Sequence, residues 1–128
     1  MNILILEDNK NRIQYFQNAL KEHHPVICRH AKAAKKALRK QAFDLIFLDH
    51  DLQGVPADPE SDNCGSEVAR TIADRDIKYT AVILHTENDT GRDSMDGILP
   101  GCFIFPYSKI RKIGMQDVLK ITLDSLDE

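Results

Sequence analysis

The stretch Phe43-Asp44-Leu45-Ile46-Phe47-Leu48-Asp49-His50-Asp51 constrains this chain more than any other. An apolar run ends abruptly in ionisable groups. Too short for a membrane span, the run suits a parallel strand buried on both faces. Where such a strand ends the chain leaves the sheet, and ligand sites in open α/β sheets form just outside those carboxyl ends. Two further runs repeat the design. Met1 to Leu6 leads into Glu7-Asp8-Asn9, and Ala81 to Leu84 leads into His85-Thr86-Glu87-Asn88-Asp89. Three strands that deliver acids, histidines and a hydroxyl to one rim describe a site for a divalent metal and phosphate.

Helical patterns fill the intervals. Asn9 is placed to cap a helix whose Ile13, Phe16 and Leu20 share one face. Pro25 stops that helix, and Val26 to Cys28 read as a short strand. In Ala31 to Gln41, Ala34, Ala37 and Leu38 form a thin apolar stripe beneath many lysines, which are most simply a solvated face. Asp44 to Leu48 is the third strand. Gly65 opens a helix carrying Val68, Ala69 and Ile72. A short helix is expected between Arg92 and Leu99, a fifth strand over Cys102 to Phe105, and a last helix from Met115 to Leu126 with Val118, Leu119, Thr122 and Leu126 inward. Five strands interleaved with five helices predict a parallel sheet covered on both faces.

At 128 residues the chain fits one domain, 1–128, and no repeat or second domain is visible. Its last residues are expected to leave no room for an output domain. Gln53 to Asn63, with Gly54, Pro56 and Pro59, is too broken for helix or strand. The net charge of −3 provides no general basic field, so direct nucleic-acid binding is not expected. Cys28, Cys64 and Cys102 match no zinc spacing, and Cys28 and Cys102 read as small buried hydrophobes. With no signal peptide or span, the expectation is a cytoplasmic protein with reduced thiols and no membrane contact.

The placement of Glu7-Asp8, Asp49, Thr86 and Lys109 after the first, third, fourth and fifth strands resembles the receiver domains of bacterial two-component signalling, over nearly the whole length. The resemblance implies a flavodoxin-like, doubly wound sheet of order 2-1-3-4-5. It also implies Mg2+ held by Glu7, Asp8 and Asp49, with Asp51 in or beside that shell and able to orient His50. Asp49 would be the nucleophile phosphorylated by a histidine kinase or phosphotransfer protein, Thr86 would contact the phosphoryl group, and Lys109 would pair with it. A homodimer is compatible with this reading. Several positions depart from the pattern. Leu52-Gln53 stands where receivers carry Met-Pro, and Ile110 follows Lys109 where they carry proline. Pro106 stands where their aromatic switch usually lies, and the insertion at about 53–64 lengthens the loop beside the acceptor, as a lid or a tolerated surface excursion would.

A narrower resemblance accommodates these departures. Leu48-Asp49-His50-Asp51-Leu52, followed by His85-Thr86-x-Asn88-x-x-Gly91-Arg92-x-x-Met95, is similar to a divergent receiver-like family proposed to process cyclic phosphates. Its signatures are Leu-Asp-His-Asp-Leu and His-Ser-x-Asn, with Thr86 here in place of serine. That resemblance implies histidine chemistry. His50 and His85, on adjacent strand ends, would serve as base and acid near neutral pH, with Asn88 and Arg92 on phosphate. Histidines beside carboxylates also suit Mn2+ or zinc. Each histidine has a plain alternative, His50 as a loop residue and His85 as a hydrogen-bonded strand end. His23, His24 and His30 read as surface residues. Three functions stay open: a phosphoacceptor signalling domain, a metal-assisted phosphoesterase, and a degenerate receiver acting as an interaction module.

Overall fold

The structure, a computed structural model, describes residues 1–127. Along the chain run β1 (Ile3–Leu6), α1 (Lys10–Ala19), β2 (Val26–Cys28), α2 (Ala31–Lys40), β3 (Leu45–Leu48), α3 (Gly65–Asp74), β4 (Ala81–Leu84), α4 (Asp89–Ile98), β5 (Phe103–Ile104), α5 (Tyr107–Ile113) and α6 (Met115–Leu126). All strand pairs are parallel, in the order β2-β1-β3-β4-β5. This is the expected flavodoxin-like sheet.

β1, β3 and β4 are buried at every position, as central strands with helices on both faces must be. Their side chains alternate between two cores. Leu4, Leu6, Ile46, Leu48, Val82 and Leu84 pack with α2, α3 and α4 through residues such as Leu38, Val68 and Met95. Ile3, Ile5, Leu45, Phe47 and Ile83 pack on the other face with Phe16, Ile110 and Val118. The strands are also level with one another. Leu6 pairs with Leu48 and Leu48 with Leu84, so the three central strands end in step.

Local signals explain the helix starts. Asn9 caps α1, its side chain accepting from the Asn11 and Arg12 amides at 3.0 and 3.1 Å. Asn88 caps α4 by accepting from the Gly91 amide at 3.2 Å. Gly65 begins α3 where a β-carbon would collide with the Asp49 carbonyl oxygen and the Met95 sulfur. That contact locks the start of α3 against the end of β3.

Three local expectations are corrected. A sixth helix, α5, occupies the segment after Pro106, where the interrupted apolar pattern hid it. Leu126 is exposed, because the final turn of α6 runs past the core. Cys102 is half-buried and precedes β5, although burial still pushes its thiol up to about 12. Among the described residues no helix is long and apolar enough to cross a membrane.

Candidate active site

Because β1, β3 and β4 end level, Glu7, Asp49 and His85 are each the first residue beyond a strand at the same height. Strand alternation sends all three to the face of Ile5, Phe47 and Ile83. The neighbours agree: the His85 ring lies 5.0 Å from that of Phe16 and 6.4 Å from that of Phe47. One ligand atom from each of Glu7, Asp49 and His85 lies within 4.8 Å of the others. All three residues are buried.

The His85 ring nitrogen Nε2 lies 3.0 Å from Glu7 Oε1. The ionised carboxylate only accepts, so Nε2–H donates. The other Glu7 oxygen accepts from the Asp8 and Asn9 amides at 3.0 and 3.1 Å. Burial would raise Glu7, but the hydrogen bond and charge of His85 outweigh it and hold the carboxyl below its usual range. Asp49 behaves oppositely. Burial pushes it up to about 6, His85 draws it down, and the neighbouring Glu7 charge raises it again. Its Oδ1 accepts from the His50 amide at 2.9 Å, which fixes the orientation of the carboxyl group.

Above this cluster opens a pocket of about 300 Å³. Asp8, Arg12, Asp51, Thr86 and Asn88 line it beside Glu7 and Asp49, and Gly54, Val55 and Pro56 of the insertion form one wall. The insertion thus lies beside Asp49, on one side of the pocket. Burial and the adjacent Glu7 charge raise Asp8. The Arg12 guanidinium reaches within 3.9 Å of Glu7 and stacks 4.7 Å above the Tyr107 ring. Sequence pattern alone does not single out Arg12. The only available signal was its position in the first turn of a helix that starts at the acidic rim.

Several expected positions move. Asp51 lines the pocket but lies outside the close ligand group, since its Oδ1 is occupied by His50 Nδ1, the Ala57 amide and Asn88 Nδ2 at 2.9–3.1 Å. Burial works against its charge, yet those donors keep it below the usual carboxylate range. Asp8 faces the pocket without joining that group. The Thr86 hydroxyl accepts from the Asn88 amide at 3.0 Å and lines the pocket. Arg92 does not: its guanidinium is held by Asp89 and Asp93 at 2.9–3.2 Å, which neutralises it as an anion contact. Lys109 is displaced furthest. It lies in α5, exposed, with its ammonium 5.5 Å above the Phe105 ring, in a separate groove with Ser108, Lys112 and Ile113. The first residue beyond β5 is the buried Phe105.

The two histidines do not share a cavity. His50 follows Asp49, so alternation turns it to the opposite face, under α3 and α4. There its Nδ1–H donates to Asp51, and Nε2 lies within hydrogen-bonding distance, 3.0 Å, of the buried Ser66 hydroxyl, with Ser94 2.7 Å further on. Burial disfavours its charged form, but the adjoining Cys64 and Asp51 outweigh this and raise it above the usual histidine value. A β-carbon at Gly91 would collide with its ring. Neither histidine lines the pocket, and both are fully buried.

Comparison with known proteins places this arrangement. A two-component response regulator from Clostridium difficile superposes with a TM-score of 0.72 at 20% identity, covering 100% of this chain and 99% of that one. The response regulator TrrA from Thermotoga maritima, solved in complex with Mg2+-BeF, gives 0.66 at 22%, covering 98% and 99%. The receiver domain of the Saccharomyces cerevisiae response regulator Ssk1, crystallised with the histidine phosphotransfer signalling protein Ypd1, gives 0.60 at 18%, covering 83% and 77%. At these identities the likeness is one of fold. A search of curated proteins finds no match. The family described as cyclic-phosphate processing receiver domains, however, matches residues 2–100. By that match, the chain belongs to the cyclic-phosphate processing receiver domains.

Proposed function

We propose that the pocket hydrolyses a phosphate ester, first of all a cyclic phosphodiester, with a divalent cation held by Glu7, Asp49 and His85. The observation that carries this reading is His85 standing level with Glu7 and Asp49, beneath a pocket that no lysine lines among the described residues. The donor set fits such an ion. Two buried carboxylates lie side by side, and Asp49 is pushed toward its neutral form by burial and by the neighbouring Glu7 charge. An imidazole among oxygen donors suits Mn2+ better than Mg2+, which prefers oxygen ligands and water. When bound, the cation would polarise the phosphoryl oxygens and acidify a water.

The side chains supply the rest. Arg12, Thr86 and Asn88 are placed to orient the non-bridging phosphate oxygens, and Val55 and Pro56 shelter the organic part of the ester. Water oxygen bonds to phosphorus as one ring P–O bond breaks. The water's proton passes to a base and the departing alkoxide gains a proton, so diester plus water gives a monoester with a free hydroxyl.

The second reading is phosphoacceptance, favoured by the position of Asp49 at the end of β3 on the pocket wall. Its carboxylate would attack the phosphorus of a phosphohistidine on a histidine kinase or phosphotransfer protein, and the N–P bond would break as the histidine leaves protonated. The displaced Lys109 counts against it. The test is incubation with cytidine 2′,3′-cyclic monophosphate or with acetyl phosphate, each with Mn2+ or Mg2+. Monoester release without an adduct by intact mass supports hydrolysis. An acid-labile 80 Da adduct lost in Asp49→Asn, with no turnover, replaces it with phosphoacceptance.

A further inference from the structure

The net charge of −3 conceals a strong segregation. Arg29, Lys32, Lys35, Lys36, Arg39 and Lys40 follow one another with no Asp or Glu before Asp44. In α2, Lys32, Lys36, Arg39 and Lys40 lie opposite the buried Ala31, Ala34 and Leu38. Lys32, Lys36, Arg39 and Lys40 are exposed, and their spacing of three to four residues keeps them on one helical face. Lys35 is held at 2.7 Å by Glu67 of α3. The four exposed cations enter no ion pair among the described residues.

This strip starts at the pocket. The Arg29 guanidinium donates to the Asp8 backbone oxygen at 3.1 Å, and Asp8 lines the pocket. The Ala31 amide donates to Asn63 Oδ1 at 2.9 Å, which ties the first turn of α2 to the insertion. From there the helix leads away along the body of the protein, about 12 Å from Lys32 to Lys40 at the α-helical rise. The pocket itself is acidic: Glu7, Asp8, Asp49, Asp51 and Glu87 face a single cation, Arg12. Such a pocket suits a metal but repels the remainder of an anionic substrate. An adjoining basic strip removes that difficulty only for a substrate carrying further phosphates outside the pocket.

Resting on the hydrolytic reading above, we infer that α2 is a docking strip for a single RNA strand whose 3′-terminal 2′,3′-cyclic phosphate enters the pocket. A five-membered cyclic phosphate needs vicinal hydroxyls, which a ribose end has and a deoxyribose end lacks. The strip follows phosphates without reading bases, so recognition is independent of sequence. A membrane surface fits less well. The exposed large apolar side chains are Met1, Val55, Ile104, Ile121 and Leu126, none of them on α2, and interfacial helices need an apolar face to insert.

The test uses a 5′-fluorescein decaribonucleotide ending in a 2′,3′-cyclic phosphate. Anisotropy is measured with chelator present, so that binding is read without turnover. The K32E/K36E/R39E variant is expected to bind at least tenfold more weakly, with a flatter salt dependence, since each lost phosphate contact reduces the slope by about 0.7. With Mn2+, its KM for the oligonucleotide rises by a similar factor, while its turnover of cytidine 2′,3′-cyclic monophosphate is unchanged. The neutral variant K32Q/K36Q/R39Q, expected to lose part of the affinity, provides the same readout should the charge reversal fail to fold. Equal RNA affinity in wild type and variants overturns the inference. So does wild-type binding to phosphatidylserine vesicles or polyglutamate as tight as to RNA. Failure of the mononucleotide to turn over overturns the hydrolytic reading instead, and leaves the anisotropy result to decide the strip.

Discussion

His85 Nε2 and Glu7 Oε1 lie 3.0 Å apart, although 77 residues separate them in the chain, and both are closed off from solvent. This pair binds the end of β4 to the end of β1 across β3 and leaves Asp49 between them. The other ring nitrogen of His85 is buried without a hydrogen-bond partner among the described residues. Unpaired buried polar atoms are uncommon and tend to mark sites that serve something other than stability.

In metal-free protein Asp49 is a source of instability above neutral pH. Its folded-state value of about 6 exceeds the ordinary 3.8. Between those values the folded chain holds a proton that the unfolded chain has released, so stability falls as pH rises toward 6 and stays reduced above it. The effect is on the order of 2–3 kcal/mol. In urea unfolding with chelator, Asp49→Asn should exceed wild type by about that amount at pH 8 and by only about a third of it near pH 4.5. A gap of equal size at both pH values refutes the assignment.

Adding Mn2+ at pH 7.5 should raise the unfolding temperature, by an amount corresponding to about 2.7 kcal/mol at one hundred times Kd. Glu7→Gln and His85→Ala should each remove most of that rise. Asp8→Asn should weaken it less, and Lys109→Ala and Arg92→Ala should leave it intact. Calorimetric titration provides the affinities. A Lys109→Ala effect as large as that of Glu7→Gln would show that α5 is misplaced.

The two histidines separate by readout. His85→Ala should lower turnover at limiting Mn2+ by about 10–100-fold, because the cation loses a ligand, and change the pH–rate profile. His50→Ala should mainly destabilise, by roughly 1–3 kcal/mol, because Ser66 and Asp51 lose a buried partner. Its pH–rate profile should keep the wild-type shape. A profile altered by His50→Ala alone would reverse the roles.

Three glycines provide a steric check. Gly65→Ala and Gly91→Ala place a β-carbon against the Asp49 carbonyl and the His50 ring, and overpacking of this kind costs about 1–3 kcal/mol. Gly97, in the same helix as Gly91, has open space around it, so Gly97→Ala should stabilise by up to about 1 kcal/mol through helix propensity. Thermal melts of the three variants test the packing of α3 and α4 on the site.

Much of this molecule is legible from local pattern. The runs at Ile3, Leu45 and Ala81 are apolar at every position, which only a doubly covered parallel sheet satisfies. Their ends therefore mark the rim, and Glu7, Asp49 and His85 could be named as rim residues before any coordinates. Asn9 and Gly65 announced the helices that follow them. Tertiary structure decided which rim residues meet. Level pairing of Leu6, Leu48 and Leu84 selects the first residue past each strand and turns His50 to the far face. Arg92 is neutralised by its own helix, Lys109 is carried off by a helix that an interrupted pattern concealed, and Arg12 enters unannounced. The division has one physical cause. Periodicity within a strand is a local property of the chain. Register between strands is set by backbone hydrogen bonds and packing among segments some forty residues apart, and a one-residue slip would exchange every side chain between the faces.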